Sequence, residues 1–139
     1  LPHCRAILIL LDADDDCPAR LGPDMLRRAV AARSDVPIGV VLAKREFESW
    51  FLAAASSIAG QCELFSDLPE VPNPEGPRNA KGWLSSNMPE YKIYKPRTEQ
   101  KALARVFDIE LARKNSPSFD KCYREIERLL KTVGSGTAQ

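Results

Sequence analysis

The stretch Arg5-Ala-Ile-Leu-Ile-Leu-Leu-Asp12 decides the fold class, because a continuous apolar run ends abruptly at an acidic residue. Continuous apolar runs, unlike alternating ones, are typical of strands that are covered on both faces, as in a parallel sheet. A second run of this kind spans Val36–Ala43. Helical apolar spacing follows each run, first from Pro23 to Ala32 and then from Lys44 to about Gly60. This order predicts an α/β domain with a mostly parallel sheet flanked by helices.

The second half of the chain is predicted to be a loop followed by helices. Several prolines fall between Ser66 and Asn79, which predicts a long surface loop that could act as a lid or a binding loop. The segments after it are a short helix over 80–87, an extended stretch over 89–96, a helix capped by Thr98 that reaches about Phe107, a short helix over 109–114, and a last helix that Ser116-Pro117-Ser118 begins.

Bulk composition indicates one folded domain. The chain has 139 residues, 44% hydrophobic and 28% charged, with a net charge of +1. We expect a single domain over residues 1–133 and a flexible tail over 134–139. No apolar stretch is long enough to span a membrane, so we expect a cytoplasmic protein whose four cysteines are reduced and mostly buried. Because the charge is balanced, nucleic acid could bind only at a local basic patch.

Four acidic residues at the end of the first strand form the first candidate site: Asp12, Asp14, Asp15 and Asp16. Ligands of open α/β sheets bind at the carboxyl ends of strands, and Mg²⁺ or Mn²⁺ prefers carboxylate oxygens. Asp12, Asp14 and Asp16 are the predicted metal ligands, in that order, while Asp15 is expected to face solvent. The alternative is an ordinary solvated turn, since aspartate favours turns and helix starts.

A second candidate group follows the second strand and consists of Lys44, Arg45, Glu46 and Glu48. In a parallel sheet it would lie at the same edge as Asp12. A glutamate there could join the metal site, and Lys44 could neutralise a phosphate. The alternative is a solvated helix start, where glutamate is favoured by the helix dipole. The aromatic residues that follow, Trp50 and Phe51, are predicted to lie in the core.

A third group mixes basic and aromatic residues, as in surfaces that bind a phosphate backbone and stack bases. Its members are Tyr91, Lys92, Tyr94, Lys95, Arg97 and Lys101, to which Lys81 and Trp83 could be added. The alternative is a solvated loop, and we favour it slightly. The single histidine, His3, is not expected to be catalytic. Ser116 and Ser118 are predicted to be helix caps rather than nucleophiles, since no histidine is placed to activate them.

Three segments together resemble a known family: Asp12-Ala-Asp14-Asp-Asp16 after its strand, Ala43-Lys-Arg-Glu46-Phe-Glu48-Ser-Trp50-Phe-Leu, and Ser116-Pro-Ser-Phe119. They resemble the domain of unknown function 4276 family, which is grouped with the Toprim-like domains of topoisomerases, primases and overcoming-lysogenization-defect nucleases. The resemblance implies a Toprim-like (Rossmann-like) sheet, Mg²⁺ held by Asp12 and Asp14, and an association with ATPases in bacterial defence or mobile regions. Toprim domains also use an earlier glutamate, which has no counterpart here, so we expect the amino-terminal strand to be lacking.

Two main hypotheses follow. The first is a metal-dependent nuclease-like or phosphoryl-transfer domain acting on nucleic acid. In it, Asp12 and Asp14 bind metal, Glu46 or Glu48 binds a second metal or orients water, and Lys44 or Lys101 stabilises phosphate charge. The second is a non-catalytic Toprim-like module that partners an ATPase. A weaker third hypothesis is a phosphatase-like domain in which Asp12 is the nucleophile.

Overall fold

A computed structural model describes residues 3–76 and 78–135, and within them the sheet consists of two parallel strands. Strand β1 spans Ile7–Asp12 and strand β2 spans Ile38–Ala43, with Ile7 opposite Ile38 and Asp12 opposite Ala43. The predicted α/β class is therefore confirmed. The equal register brings the carboxyl ends of both strands to the same edge of the sheet, as expected for a parallel pair.

Seven α-helices complete the described fold, and two of them, α1 and α7, pack against β2. Their bounds are α1 Pro18–Ala32, α2 Ser49–Ala53, α3 Ala55–Ile58, α4 Ala80–Ser86, α5 Lys101–Val106, α6 Ile109–Asn115 and α7 Pro117–Ser135. A π-helical turn over Pro96–Gln100 leads directly into α5. The short helices predicted around residues 80–87 and 109–114 are confirmed. The last helix includes the first two residues of the predicted flexible tail, Gly134 and Ser135, and the tail residues 136–139 lie outside the described residues.

The two strands differ in burial. Every residue of β2 is buried, as its continuous apolar run predicts. In β1, however, Leu10 and Leu11 are 37% and 40% exposed, so the prediction that this strand is covered on both faces is wrong for its second half. The physical reason is that β1 has one paired neighbour in the described sheet, while α1 and α7 lie mainly over β2.

Three predicted helix boundaries differ from the structure. Helix α1 begins at Pro18 instead of Pro23, because a proline at either position supplies the fixed φ that suits a first helical turn. The helix expected from Lys44 begins only at Ser49 and is interrupted at Ala54, whose φ of −123° and ψ of 32° are not helical. Thr98 is not a cap, since it lies inside the π-helical turn that begins at Pro96.

A cluster of aromatic rings forms the core beneath the carboxyl end of β2. Neighbouring rings of this cluster have centroids 4.9 to 5.6 Å apart and mostly meet edge to face. The cluster consists of Phe47, Trp50, Phe51, Phe107 and Phe119. Trp50 and Phe51 are 2% and 0% exposed, which confirms that both are core residues. The segment that carries Glu46 and Glu48 is therefore anchored on a rigid base.

The remaining sequence predictions concern membranes and thiols. None of the helices in residues 3–76 and 78–135 combines the length and the apolar character needed to cross a membrane. All four cysteines are free thiols, but only Cys122 is buried. Cys4 and Cys62 are half-buried and Cys17 is exposed, so the prediction that most of the thiols are buried is wrong.

Candidate acidic site at the carboxyl edge of the sheet

The segments that leave β1 and β2 run side by side. The Ala13 N–H donates to the Ala43 carbonyl at 2.9 Å, and the Asp14 N–H donates to the Arg45 carbonyl at the same distance. The sheet ladder is thus extended by main-chain bonds beyond both strands. As a result, the acidic turn after β1 faces the Lys44–Glu48 segment, as the parallel register predicts.

Asp12 is held against this second segment. Its Oδ1 accepts a hydrogen bond from the Phe47 N–H at 2.7 Å. Burial raises the pKa of Asp12, and the charges of Glu48 and Asp14 raise it further, while the Phe47 N–H and the Lys81 ammonium oppose the change. Ionised Asp12 is therefore less favourable in the folded chain than in water, although the residue as a whole is exposed and keeps contact with solvent.

Two glutamates share one lysine. The Lys81 Nζ lies 3.0 Å from Glu46 Oε2 and 3.1 Å from Glu48 Oε2. The Glu46 side chain is 14% exposed and that of Glu48 only 1%, so both charges are largely removed from water. Burial alone would lower the pKa of the Lys81 ammonium, but its hydrogen bonds to the two glutamates outweigh burial and raise it. Lys81 is therefore a fixed positive charge at the centre of the group.

The second carboxylate oxygen of Glu48, which Lys81 does not contact, is also held in place. This oxygen, Oε1, accepts hydrogen bonds from the Tyr94 hydroxyl at 3.0 Å and from the Gln100 Nε2 at 3.3 Å. Burial, followed by the charge of Glu48, raises the pKa of Tyr94 far above its ordinary value, so its hydroxyl remains a donor at every relevant pH. With both oxygens engaged, Glu48 cannot rotate freely, and its position is preorganised.

Four side chains form a group with excess negative charge, which we call the acidic site: Asp12, Glu46, Glu48 and Lys81. Lys81 neutralises one of the three carboxylates, and the pKa of Asp12 responds to the charges of both Lys81 and Glu48. Even so, no three acidic, histidine or cysteine side chains in the described part of the chain lie close enough together to hold a metal ion as they stand. Glu46 and Glu48 instead bind the Lys81 ammonium.

The other acids of the predicted metal group lie around this site. Asp14 is exposed, with a left-handed φ of 48°, and lines a small cavity together with Asp15, Arg45 and Glu46. Asp15 faces solvent as predicted, with its side chain 69% exposed, and it also pairs with Arg45 and with Arg78. Asp16 is exposed, and none of the contacts among the described residues joins its carboxylate to Asp12.

The two lysines predicted to stabilise phosphate lie apart from the acidic site. Lys44 is exposed, and its main-chain N–H donates to Ser118 Oγ at 3.3 Å. Lys101 begins α5 and is also exposed, without a contact to the acidic site among the described residues. The lysine that does contact these carboxylates is Lys81, which the sequence had placed in the basic and aromatic group.

The basic and aromatic group is divided by the fold. Lys92 pairs with Glu63 at 2.9 Å and with Glu99 at 3.2 Å, and the Tyr91 hydroxyl donates to Glu63. Tyr94 is 6% exposed, so its ring is not available for stacking on a base. Lys95, Arg97 and Lys101 remain exposed. This arrangement favours the solvated-loop interpretation over a stacking platform.

Glu75 is a buried residue whose importance the sequence did not indicate. Although it lies in the proline-rich loop, it is 6% exposed and accepts hydrogen bonds from Ser116 Oγ at 2.6 Å and from the Ser118 N–H at 2.9 Å. Ser116 Oγ also accepts from the Phe119 N–H, which confirms it as the cap of α7. Ser118 is not a cap, since its hydroxyl accepts from Trp50 Nε1. The loop is therefore pinned near Glu75 rather than free to act as a lid along its whole length.

Comparison of the chain with models of known protein families, with curated proteins and with solved structures gave no match.

Proposed function

We propose that this chain is a divalent-cation-dependent phosphoryl-transfer domain of the nuclease type, with Asp12, Glu46 and Glu48 as its acidic residues. The observation that supports the proposal is the charge balance of the acidic site: the Glu46 and Glu48 carboxylates bind one ammonium group at the carboxyl edge of a parallel sheet, and the Asp12 carboxylate lies within electrostatic range of it. That arrangement leaves a net charge of about −2, which one divalent cation would neutralise.

The donor chemistry of the acidic site fits a hard cation. Glu46 Oε2 and Glu48 Oε2 converge on the Lys81 ammonium, so a cation bound by these two oxygens would displace that ammonium, and Asp12 is within electrostatic range of both Glu48 and Lys81. Asp12, Glu46 and Glu48 would hold Mg²⁺ or Mn²⁺, which would supply Lewis-acid activation of a water and of the phosphate.

The roles of the protein groups follow from their contacts. Glu48, fixed by Tyr94 and Gln100, provides an anionic oxygen that does not reorient during a reaction. Asp12, with one oxygen fixed by the Phe47 N–H, offers its other carboxylate oxygen to the cation. Lys81 keeps a positive charge at the site in which phosphate charge would develop.

Cleavage of a fluorescent single-stranded DNA or RNA oligonucleotide tests the proposal. We expect cleavage that requires Mg²⁺ or Mn²⁺ and that falls at least about a hundredfold in the Asp12→Asn, Glu46→Gln double variant. Asp67→Asn is the matched control, because Asp67 is an exposed acid in the loop. Cleavage by the double variant at the rate of the control, with the circular dichroism spectrum unchanged, would refute the assignment.

The second candidate function is a non-catalytic module that docks on a partner protein, which the family resemblance suggests is an ATPase. Two observations favour it: the described residues contain no ready group of three metal ligands, and apolar side chains of β1 and α7 are exposed. Leu10 and Leu11 of β1 and Leu130 of α7 are the main examples. Absence of Mn²⁺ binding at millimolar concentration would favour this module over the enzyme.

A further inference from the structure

The Lys81 ammonium group occupies the point at which two oxygens of the acidic site converge. Its Nζ lies 3.0 Å from Glu46 Oε2 and 3.1 Å from Glu48 Oε2. Carboxylate oxygens bind an ammonium group and a divalent cation through the same attraction of opposite charges. Because two positive charges at one pair of oxygens would repel each other strongly, Lys81 and a divalent cation are alternative occupants of this position.

The two glutamates are held more firmly than the lysine that they bind. The side chains of Glu46 and Glu48 are 14% and 1% exposed, whereas that of Lys81 is 40% exposed. Glu48 is also held at its other oxygen by the Tyr94 hydroxyl and by Gln100 Nε2. A lysine side chain is a flexible stem with a strongly hydrated end, and this one borders solvent. Vacating the two oxygens therefore requires movement of the Lys81 side chain alone.

The main chain of Lys81 is anchored independently of its side chain. Lys81 lies in the first turn of α4, in which Ala80 and Leu84 are both 0% exposed. The Lys81 carbonyl accepts a hydrogen bond from Ser85 Oγ at 3.0 Å, and the same Oγ accepts one from the Tyr94 N–H at 3.0 Å. Since these contacts involve only the backbone of Lys81, they persist when its side chain moves. A displaced ammonium group therefore stays tethered beside the acidic site.

We infer that Lys81 is an internal counter-ion that closes the acidic site until a divalent cation displaces it. The inference rests on the proposed function and adds a regulatory contact to the same site. Without a cation, the Lys81 ammonium compensates part of the charge of Glu46 and Glu48, which allows both carboxylates to remain largely buried. With a cation at these oxygens, the ammonium group turns towards solvent. Lys81 therefore raises the cation concentration at which the site fills.

Calorimetric titration of Mn²⁺ into the full chain and into its Lys81→Met variant tests the inference. Methionine keeps an unbranched apolar stem and removes the competing charge. We expect Lys81→Met to bind Mn²⁺ about fivefold or more tightly than the wild type, because no ion pair has to be broken first. Lys121→Met is the matched control, since it removes the same charge from an exposed position of α7. It should change the affinity by less than about twofold.

A measurement on the wild type keeps the test independent of whether Lys81→Met folds. In ¹H–¹³C nuclear magnetic resonance spectra of protein labelled at the lysine Cε, the Lys81 signal is assigned by its absence from Lys81→Arg. The protein is titrated with Mg²⁺, which is diamagnetic. We expect the Lys81 Cε signal to move saturably towards the position of the exposed Lys121, whose own signal should stay in place.

The results separate this inference from the proposed function. Tighter Mn²⁺ binding by Lys81→Met, or a saturable Mg²⁺-induced shift of the wild-type Lys81 signal, supports the counter-ion. Saturable cation binding with an unmoved Lys81 signal, or binding that Lys81→Met leaves equal or weakens, overturns the counter-ion and keeps the cation site. Absence of binding at millimolar Mn²⁺ in both the wild type and folded Lys81→Met refutes the proposed function itself.

Discussion

Replacement of Tyr94 by phenylalanine tests whether Glu48 is a buried, charged acceptor. The Tyr94 hydroxyl donates to Glu48 Oε1 at 3.0 Å, and the two residues are 6% and 1% exposed. A hydrogen bond to a charged group contributes about 1.5–3 kcal/mol to stability, and a buried carboxylate that loses its donor cannot be compensated by water. We therefore expect Tyr94→Phe to lower the free energy of unfolding by about 1.5–3 kcal/mol. Urea denaturation at pH 7 measures this difference.

Tyr91→Phe is the matched control, because it removes the same atom from a solvated position. Tyr91 is 82% exposed, and its hydroxyl donates to Glu63 at 3.1 Å. Its replacement should change stability by no more than about 0.5 kcal/mol. A double-mutant cycle with Glu48→Gln should show that the cost of Tyr94→Phe shrinks when the glutamate charge is absent. Equal costs for the two tyrosine variants, or no coupling to Glu48, would refute the preorganised carboxylate.

Three further predictions concern the acidic site and the parts of the fold that support it. Asp12→Asn should raise the free energy of unfolding at pH 7, because the raised pKa of Asp12 means that its ionisation opposes folding. In urea titrations this gain should disappear as the pH falls towards 3.8, the ordinary aspartate value. A gain that stays constant at all pH values would contradict the prediction. Glu75→Gln should lower the free energy of unfolding by about 1–3 kcal/mol and increase proteolysis in the loop, because Ser116 loses a charged hydrogen-bond acceptor. Unchanged proteolysis would show that Glu75 does not hold the loop in place. Leu103→Ala, at a fully buried position in the helical core, should cost about 2–5 kcal/mol in thermal or urea unfolding, and a cost below that of a surface change would contradict the described core.

The sheet and much of the acidic site could be predicted from the sequence, because they depend on local patterns and on one simple geometric rule. Two continuous apolar runs predicted β1 and β2, and parallel pairing brought Asp12 to the segment that carries Glu46 and Glu48. The limited cover of β1 could not be predicted, since it depends on how far α1 and α7 extend across the sheet and not on the composition of the strand.

The partners of these carboxylates were harder to predict, because they come from segments far along the chain. Lys81 and Tyr94 are separated from Glu48 by more than thirty residues that include the proline-rich loop, and the path of that loop sets their positions. A lysine in the first turn of a short helix carries no local signal that distinguishes a buried ion pair from a solvated side chain. For the same reason, Arg78 could not be assigned to Asp15 before the fold was known.

Calorimetric titration of Mn²⁺ into the full chain tests most directly whether the excess negative charge of the acidic site is a cation site. We expect saturable binding by the wild type and by Asp67→Asn, and binding at least about tenfold weaker in the Asp12→Asn, Glu46→Gln double variant. Equal binding by all three proteins, or no heat of binding at millimolar Mn²⁺, would contradict the proposal that Asp12, Glu46 and Glu48 hold a divalent cation.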